Sequence, residues 1–462
     1  MKKQQLTIAC LLVLILQAYT APAAQQPPVV SLPVLSGVEE SKPNIVLFFV
    51  DDMGWSDLGY RNSVFESPNV DALAKDGLNF EQMYIACPTC SPSRATLLTG
   101  KHPARLELVR HITGGPDEKY NYWPKDPAKF PCVNWLALKY TTYAEVLKEQ
   151  GYYNLFIGKW HLGHEDYHPI HQGFDRQIGT SNAGHPRGYY PPYFKNSTVM
   201  ADEKERYLTD KLTDGAVDFI ETYDRDQPFM LSFWYYSVHG PHQGRKEYVK
   251  QFEARGLTGR YAHYAAMVKS VDESIGRVRK ALKQKGLHKE TIILFLSDQG
   301  GYFENPPFHG GKRVDTLYEG GARVPFIIHW PGITQPGATN HSVVQSTDLF
   351  PTLVEIVGGN PRHYRDLDGI SLLSTIKENS VLKRGEPIYG YRAYEDLYAS
   401  VRAGDWKLLA YRSGLLKLYN VTRDIKEQSD LAQAHPEKVA ELRAKLIEWE
   451  KEMDVVTYSG VQ

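Results

Sequence analysis

Asn44-Ile45-Val46-Leu47-Phe48-Phe49-Val50 runs without a break into Asp51-Asp52. Seven apolar or amide residues in a row, too few for a helix, mark a strand covered on both faces. The segments that follow keep one rhythm. Ser67-Pro68 opens a short helix, with the serine as N-cap and proline in the first turn, and Gly77 closes it. Strands are expected over 79–86, 154–157, 229–236, 291–296 and 324–330, with helices over 91–99, 142–150, 208–223, 261–284 and 348–357. Such alternation predicts an α/β fold, a mostly parallel doubly wound sheet sandwiched by helices. After about residue 380 the rhythm changes. Segments 397–401 and 406–411 flank an Ala403-Gly404-Asp405 turn, an antiparallel hairpin. A strand over 415–421 and a helix over 436–453 complete a smaller α+β domain. The expected domains are therefore 42–379 and 380–462.

The start of the chain is read differently. Lys2 and Lys3 precede an apolar run over 6–16, and Ala21-Pro22-Ala23 offers a small-residue cleavage site. That is the pattern of a secretory signal peptide, here 1–24, followed by a proline-containing arm over 25–41. The apolar run is shorter than the ~20 residues of a spanning helix, and no later segment is long and apolar enough. The protein is expected to be secreted or periplasmic, with no membrane span. Export leaves three cysteines, Cys87, Cys90 and Cys132, an odd number for an oxidising compartment. Cys87 pairs on paper with either Cys132 or Cys90.

The chain has 53 Lys and Arg against 54 Asp and Glu, a formal net charge of -1. No global field draws it to nucleic acid or membranes. An anionic substrate must find local cations. Lys101, His102 and Arg105 offer one such cluster, a solvated face being the other reading.

In open α/β sheets, ligands bind outside the carboxyl ends of the strands. Five predicted strand ends deliver polar groups there. They lead to Asp51-Asp52, to Cys90 and Arg94, to Lys159 and His161, to His239, and to Asp298-Gln299. Asp51, Asp52, Asp298 and Gln299 supply oxygen ligands, which suit Ca²⁺, or secondarily Mg²⁺, rather than zinc. Cys90 lies where Pro92 predicts a helix N-terminus, a setting that favours anions. Arg94 adds a guanidinium fork for an oxyanion.

Cys90-Ser91-Pro92-Ser93-Arg94, continuing as Ala95-Thr96-Leu97-Leu98-Thr99-Gly100, resembles the signature of the type I sulfatases of the alkaline phosphatase superfamily. Gly158-Lys159-Trp160-His161-Leu162-Gly163, Val50-Asp51-Asp52-Met53-Gly54, and Gly310-Gly311-Lys312 with Glu319-Gly320-Gly321-Ala322-Arg323-Val324-Pro325 are similar to further blocks of that family. The resemblance spans nearly all of the chain from Lys42. It implies that a formylglycine-generating, or sulfatase-maturating, enzyme converts Cys90 to formylglycine, whose hydrate attacks a sulfate ester. It further implies Ca²⁺ on Asp51, Asp52, Asp298 and Gln299, beside the modified Cys90. Arg94 and His161 would steady the hydrate, Lys159 and Lys312 would bind sulfate oxygens, and His239 would bind substrate and protonate the leaving alcohol. Many relatives carry Asn where this chain has Gln299.

The expected substrate is a sulfated polysaccharide or oligosaccharide. A phosphodiesterase or phosphonate hydrolase of the same superfamily, or a non-catalytic polyanion-binding relative, are the alternatives. His161, His164, His168 and His171 superficially suggest zinc, but tetrahedral sites of that kind usually bring cysteine or a second element. Tyr189-Tyr190-Pro191-Pro192-Tyr193 reads as a sugar-stacking platform or as a packed loop. Asn196-Ser197-Thr198 and Asn420-Val421-Thr422 fit the glycosylation pattern. No motif speaks to oligomeric state.

Overall fold

The computed structural model describes residues 42–122, 132–195 and 199–455; the expected signal peptide, the arm and the Asn196 sequon lie outside them. In chain order the strands are β1 (Asn44–Val50), β2 (Leu78–Tyr84), a short ladder of β3 (Tyr120–Asn121) and β4 (Cys132–Val133), then β5 (Tyr153–Lys159), β6 (Arg176–Ser181), β7 (Phe229–Trp234), β8 (Thr291–Ser297), β9 (Arg323–His329) and β10 (Ala338–Gln345). Eight of them make the main sheet, ordered β10-β2-β9-β8-β1-β7-β5-β6. Every neighbouring pair is parallel except those of β9, which runs against both β2 and β8. The mostly parallel α/β sheet expected from the sequence is what forms.

β1 lies between β7 and β8, and its alternation divides the core. Val46, Phe48 and Val50 pack with the helices Leu208–Thr222 and Gly259–Lys285. Ile45, Leu47 and Phe49 pack on the other face with Cys90–Thr99, Tyr143–Glu149 and Leu349–Ile356. Successive side chains of a strand point to opposite faces, so a run that is apolar at every position demands cover on both. The edge strands β6 and β10 were not anticipated. An edge strand has one neighbour and a partly wet face, and neither carries a continuous apolar run.

The helix Pro68–Asp76 corrects one expectation. The Ser67 hydroxyl does not cap it; that oxygen accepts from Gly59 N and donates to Asp71 Oδ1, both at 2.7 Å. Asp272, on the long helix Gly259–Lys285, accepts instead from Asn69 N at 2.9 Å and Val70 N at 2.8 Å. A carboxylate complements a helix N-terminus more strongly than a hydroxyl.

Four antiparallel strands, β11 (Ile388–Tyr391), β12 (Leu397–Ala403), β13 (Trp406–Tyr411) and β14 (Leu416–Asn420), form the second sheet in sequential order. The helix Pro436–Glu452 covers it through Leu442, Leu446 and Trp449. Buried charges tie this sheet to the first. The Glu319 carboxylate accepts from Tyr84 OH at 2.5 Å, Lys407 Nζ at 2.9 Å and Arg323 Nη1 at 3.3 Å, and Lys407 also reaches Glu427 at 2.9 Å. Cys87, Cys90 and Cys132 are all buried free thiols, so neither paper pairing is formed.

Candidate active site

β1, β2, β5, β7 and β8 point the same way, and their carboxyl ends share one edge. All ten residues singled out in the sequence meet there. Arg94 Nη2 lies 3.2 Å from both Asp51 Oδ2 and Asp298 Oδ2, and its Nη1 donates to Lys159 O at 2.9 Å. The Lys159 ammonium bonds Asp51, and that of Lys312 bonds Asp52. His239 Nε2 lies 3.8 Å from Asp52 Oδ2. Gln299 Nε2 donates to Asp52 Oδ1 at 2.7 Å and lies 3.6 Å from Cys90 Sγ.

Two backbone departures bring these groups together. Asp52 has φ 63° and His161 φ 57°, each just past the end of a strand. Strand geometry would send the consecutive carboxylates of Asp51 and Asp52 to opposite faces. The left-handed conformation at Asp52 breaks that alternation, at a cost of ~1–3 kcal/mol that the surrounding packing must offset. Gly184 allows a loop to lie against the His161 ring, since a Cβ there would fall 2.7 Å from its Cε1.

Asp51, Asp52 and Asp298 each present a carboxylate oxygen, all within 4.8 Å of one another and all buried. Asp51 Oδ1 is buried without a hydrogen-bond partner. Clustered anionic oxygens, one of them unsatisfied, fit a hard divalent cation. The Gln299 amide carries a donor and an acceptor on the same carbon, so a half-turn about its bond exchanges nitrogen for oxygen at the site.

Cys90 is the first residue of the helix Cys90–Thr99. Burial pushes its thiol up, yet Lys159, His161, His239 and Lys312 together hold it well below the ordinary thiol range. His161 Nε2 faces the Ile112 carbonyl at 3.0 Å, so that nitrogen carries the proton and Nδ1 is left as an acceptor. For His239, burial works against charge most strongly, but Asp52, Cys90 and Asp51 together outweigh it and raise its pKa.

A family profile described as Sulfatase matches residues 43–359, more than half of the chain. The chain belongs to the sulfatase family. A second profile, described as N-sulphoglucosamine sulphohydrolase, C-terminal, matches residues 309–453. The sulfatase is 33% identical over 420 residues to N-acetylgalactosamine-6-sulfatase of Rattus norvegicus, covering 84% of this chain and 76% of that one. It is 28% identical over 483 residues to arylsulfatase J of Mus musculus, covering 90% and 77%. Among solved structures, "Ps i-CgsB in complex with k-i-k-neocarrahexaose" superposes with a TM-score of 0.77 at 29% identity, covering 88% of this chain and 93% of that one. The protein is accordingly a sulfuric ester hydrolase.

A cavity of about 490 Å³ opens onto Cys90, with His161, His239, Gln299 and Lys312 in its wall. Arg94 and Lys159 are fully buried behind that wall. Four lining residues of the sulfatase were not singled out in the sequence: His111, His185, Arg392 and Tyr394. Arg392 and Tyr394 follow β11, so the second sheet contributes to the site from far along the chain. Gly184-His185-Pro186 is the one stretch whose composition could have flagged a functional loop.

Other expectations resolve plainly. Lys101 bonds the carbonyls of Arg365 and Asp366, Arg105 pairs with Asp368 and Glu452, and His102 is buried, so this cluster is structural rather than a funnel. Tyr189 and Tyr193 are buried, which makes their loop a packed one. Among the described residues, no candidate group of metal-ligating side chains includes His164, His168 or His171.

Proposed function

We propose that this sulfatase is exported and removes sulfate from a sulfated polysaccharide or oligosaccharide, with Cys90 matured to formylglycine and Ca²⁺ held by Asp51, Asp52, Asp298 and Gln299. The observation that carries the reading is the setting of Cys90: a helix N-terminus at a cavity floor, among cations, beside three converging carboxylates. A formylglycine hydrate supplies a nucleophilic hydroxyl, and the divalent cation lowers its pKa and attracts the sulfate oxygens.

The chain's own residues supply the rest. Lys312 stands in the cavity wall, where its ammonium can hold a non-bridging sulfate oxygen. Arg94 and Lys159 hold Asp51 and Asp298 in position from behind, and Lys159 adds positive charge beneath the sulfate. His161, with Nδ1 free to accept, takes a proton from the residue-90 hydroxyl. His239, biased toward its charged form by Asp52, donates a proton to the departing alcohol. Preorganised charge of this kind costs no rearrangement as the reaction proceeds.

Two relatives support a carbohydrate substrate through their names, N-acetylgalactosamine-6-sulfatase and a protein solved with neocarrahexaose. The basic and apolar opening of the chain supports export, and a formylglycine-generating or sulfatase-maturating enzyme is the expected partner. No helix among the described residues is long and apolar enough to cross a membrane.

Sulfate release, followed by ion chromatography, tests this on protein co-expressed with a formylglycine-generating enzyme, beside Cys90→Ala. The expected result is release from at least one sulfated glycan that the substitution abolishes. No release, from protein whose residue-90 peptide carries the aldehyde mass, would overturn the reading and turn attention to phosphorus esters.

A further inference from the structure

A second cavity, of about 1100 Å³ against 490 Å³ for the one over Cys90, adjoins it. The two share Gly184, His185 and His239 as a common wall. There the rings of His185 and His239 lie nearly parallel, 7° apart in plane with centroids 5.5 Å apart. A proton given by His239 reaches the leaving oxygen, so the sugar bearing the ester must sit on this side. The larger cavity lies next to that position, with His239 in the wall of both.

The lining of that cavity is one-sided in charge. It includes Arg187, Lys195 and Arg260 together with His185, His239 and His242, and among the described residues it contains no Asp or Glu. Arg187, Lys195 and Arg260 are exposed, and among the described residues none has an ion pair or a side-chain hydrogen bond. Elsewhere arginines find carboxylates: Arg206 and Arg277 pair with Asp214, Arg245 with Glu273, Arg255 with Glu66, and Arg279 with Asp76. A protein with a formal charge of -1 has thus left three cations together beside its site, with no counter-ion among the described residues. His242 Nε2, in the same wall, is buried and lacks a hydrogen-bond partner.

Resting on the glycan-sulfatase reading above, we propose that this cavity is a subsite for a second anionic group on the substrate. The substrate is an oligosaccharide whose sugar next to the sulfated one carries its own sulfate or carboxylate. Arg187, Lys195 and Arg260 bind that group, and selectivity is for polyanionic chains over singly charged ones. Exposed cations act through solvent, so the preference weakens with salt as their fields are screened.

The test compares kcat/KM of the formylglycine-bearing enzyme on three defined probes of one sugar sequence. One carries the scissile sulfate alone, a second adds a sulfate on the neighbouring sugar, and a third places a uronate there. A ratio of doubly to singly charged probe above about tenfold at low salt, falling at least several-fold in Arg187→Ala/Arg260→Ala and with added NaCl, is the expected result. Whichever of the two doubly charged probes is favoured names the anion. Equal kcat/KM on all three, or a ratio that the double variant leaves unmoved, overturns the subsite while the sulfatase reading stands. Release from none of these glycans, with an aryl sulfate still cleaved, overturns the glycan reading and the subsite with it.

Discussion

The Tyr189 hydroxyl lies 2.8 Å from the carbonyl oxygen of His239 and 2.7 Å from that of Tyr236, so one buried phenol spans the backbone on which the proposed acid is mounted. Tyr189→Phe removes the one O–H that these two carbonyls share, and only that of Tyr236 keeps another donor, His239 N at 3.1 Å; the cost is ~1–3 kcal/mol. We expect kcat to fall by about tenfold with KM little changed, because the loss is in aiming His239 rather than in holding substrate. Steady-state kinetics beside a thermal melt check it. A lower melting temperature with unaltered kcat would reduce Tyr189 to scaffolding.

Removing divalent metal should inactivate and destabilise together. Asp51, Asp52 and Asp298 crowd three carboxylates into buried space, where Arg94, Lys159, Lys312 and His239 oppose their repulsion. A cation bound only by the folded state adds about 2.7 kcal/mol at a hundredfold excess over its Kd. Dialysis against a chelator should lower the melting temperature by a few degrees, and Ca²⁺ should restore it more fully than Mg²⁺. Asp298→Asn should abolish the Ca²⁺-dependent shift. A melting temperature indifferent to chelator and Ca²⁺ would remove the metal from this site.

His102 predicts a loss of stability in acid. Ala104 N donates to its Nδ1 at 3.2 Å, so the proton is on Nε2, 3.3 Å from the Tyr389 carbonyl, and the ring is neutral. Burial holds its pKa down, from 6.5 to about 4. The unfolded chain takes up a proton below about pH 6.5 that the folded protein refuses until about pH 4. The stability from the neutral ring is therefore whole above pH 6.5 and is lost as pH falls toward 4, up to about 3 kcal/mol. Urea midpoints across that window should fall more steeply for the native protein than for His102→Asn. Parallel curves would contradict it.

Lys407 should be worth more to folding than any exposed cation. It is buried against both Glu319 and Glu427. Lys407→Met leaves Glu319 to Arg323 and Tyr84 but takes from the buried Glu427 its paired ammonium, which costs about 3–5 kcal/mol. Denaturant unfolding should show that loss near neutral pH. Recovery of much of it in Lys407→Met/Glu427→Gln would identify the unpaired charge as the cause.

What could be read from the sequence was whatever depends on neighbours along the chain. A run that is apolar at every position of 45–50 calls for a strand with cover on both faces, and β1 is that strand. The cysteine block, the lysine-histidine pair and the acidic pairs each follow a strand, and a parallel sheet puts strand ends on one edge. Nine of the ten candidate residues were therefore legible before any coordinates, and Lys312 entered only through the family resemblance. Edge strands such as β6 were not, since one wet face leaves them no apolar run. Distance along the chain hid the rest. The carboxylate capping the helix Pro68–Asp76 comes from Asp272, and Arg392 and Tyr394 reach the cavity over Cys90 from the second sheet. Lys101 and Arg105 looked like a funnel until Asp368 and Glu452 neutralised Arg105 and two carbonyls held Lys101, while Arg187, Lys195 and Arg260 drew no notice until folding gathered them around one cavity. Side-chain type and local spacing fix which groups exist and which element bears them. Which charges meet a partner and which stay free is a property of three-dimensional proximity, and only the packed chain decides it.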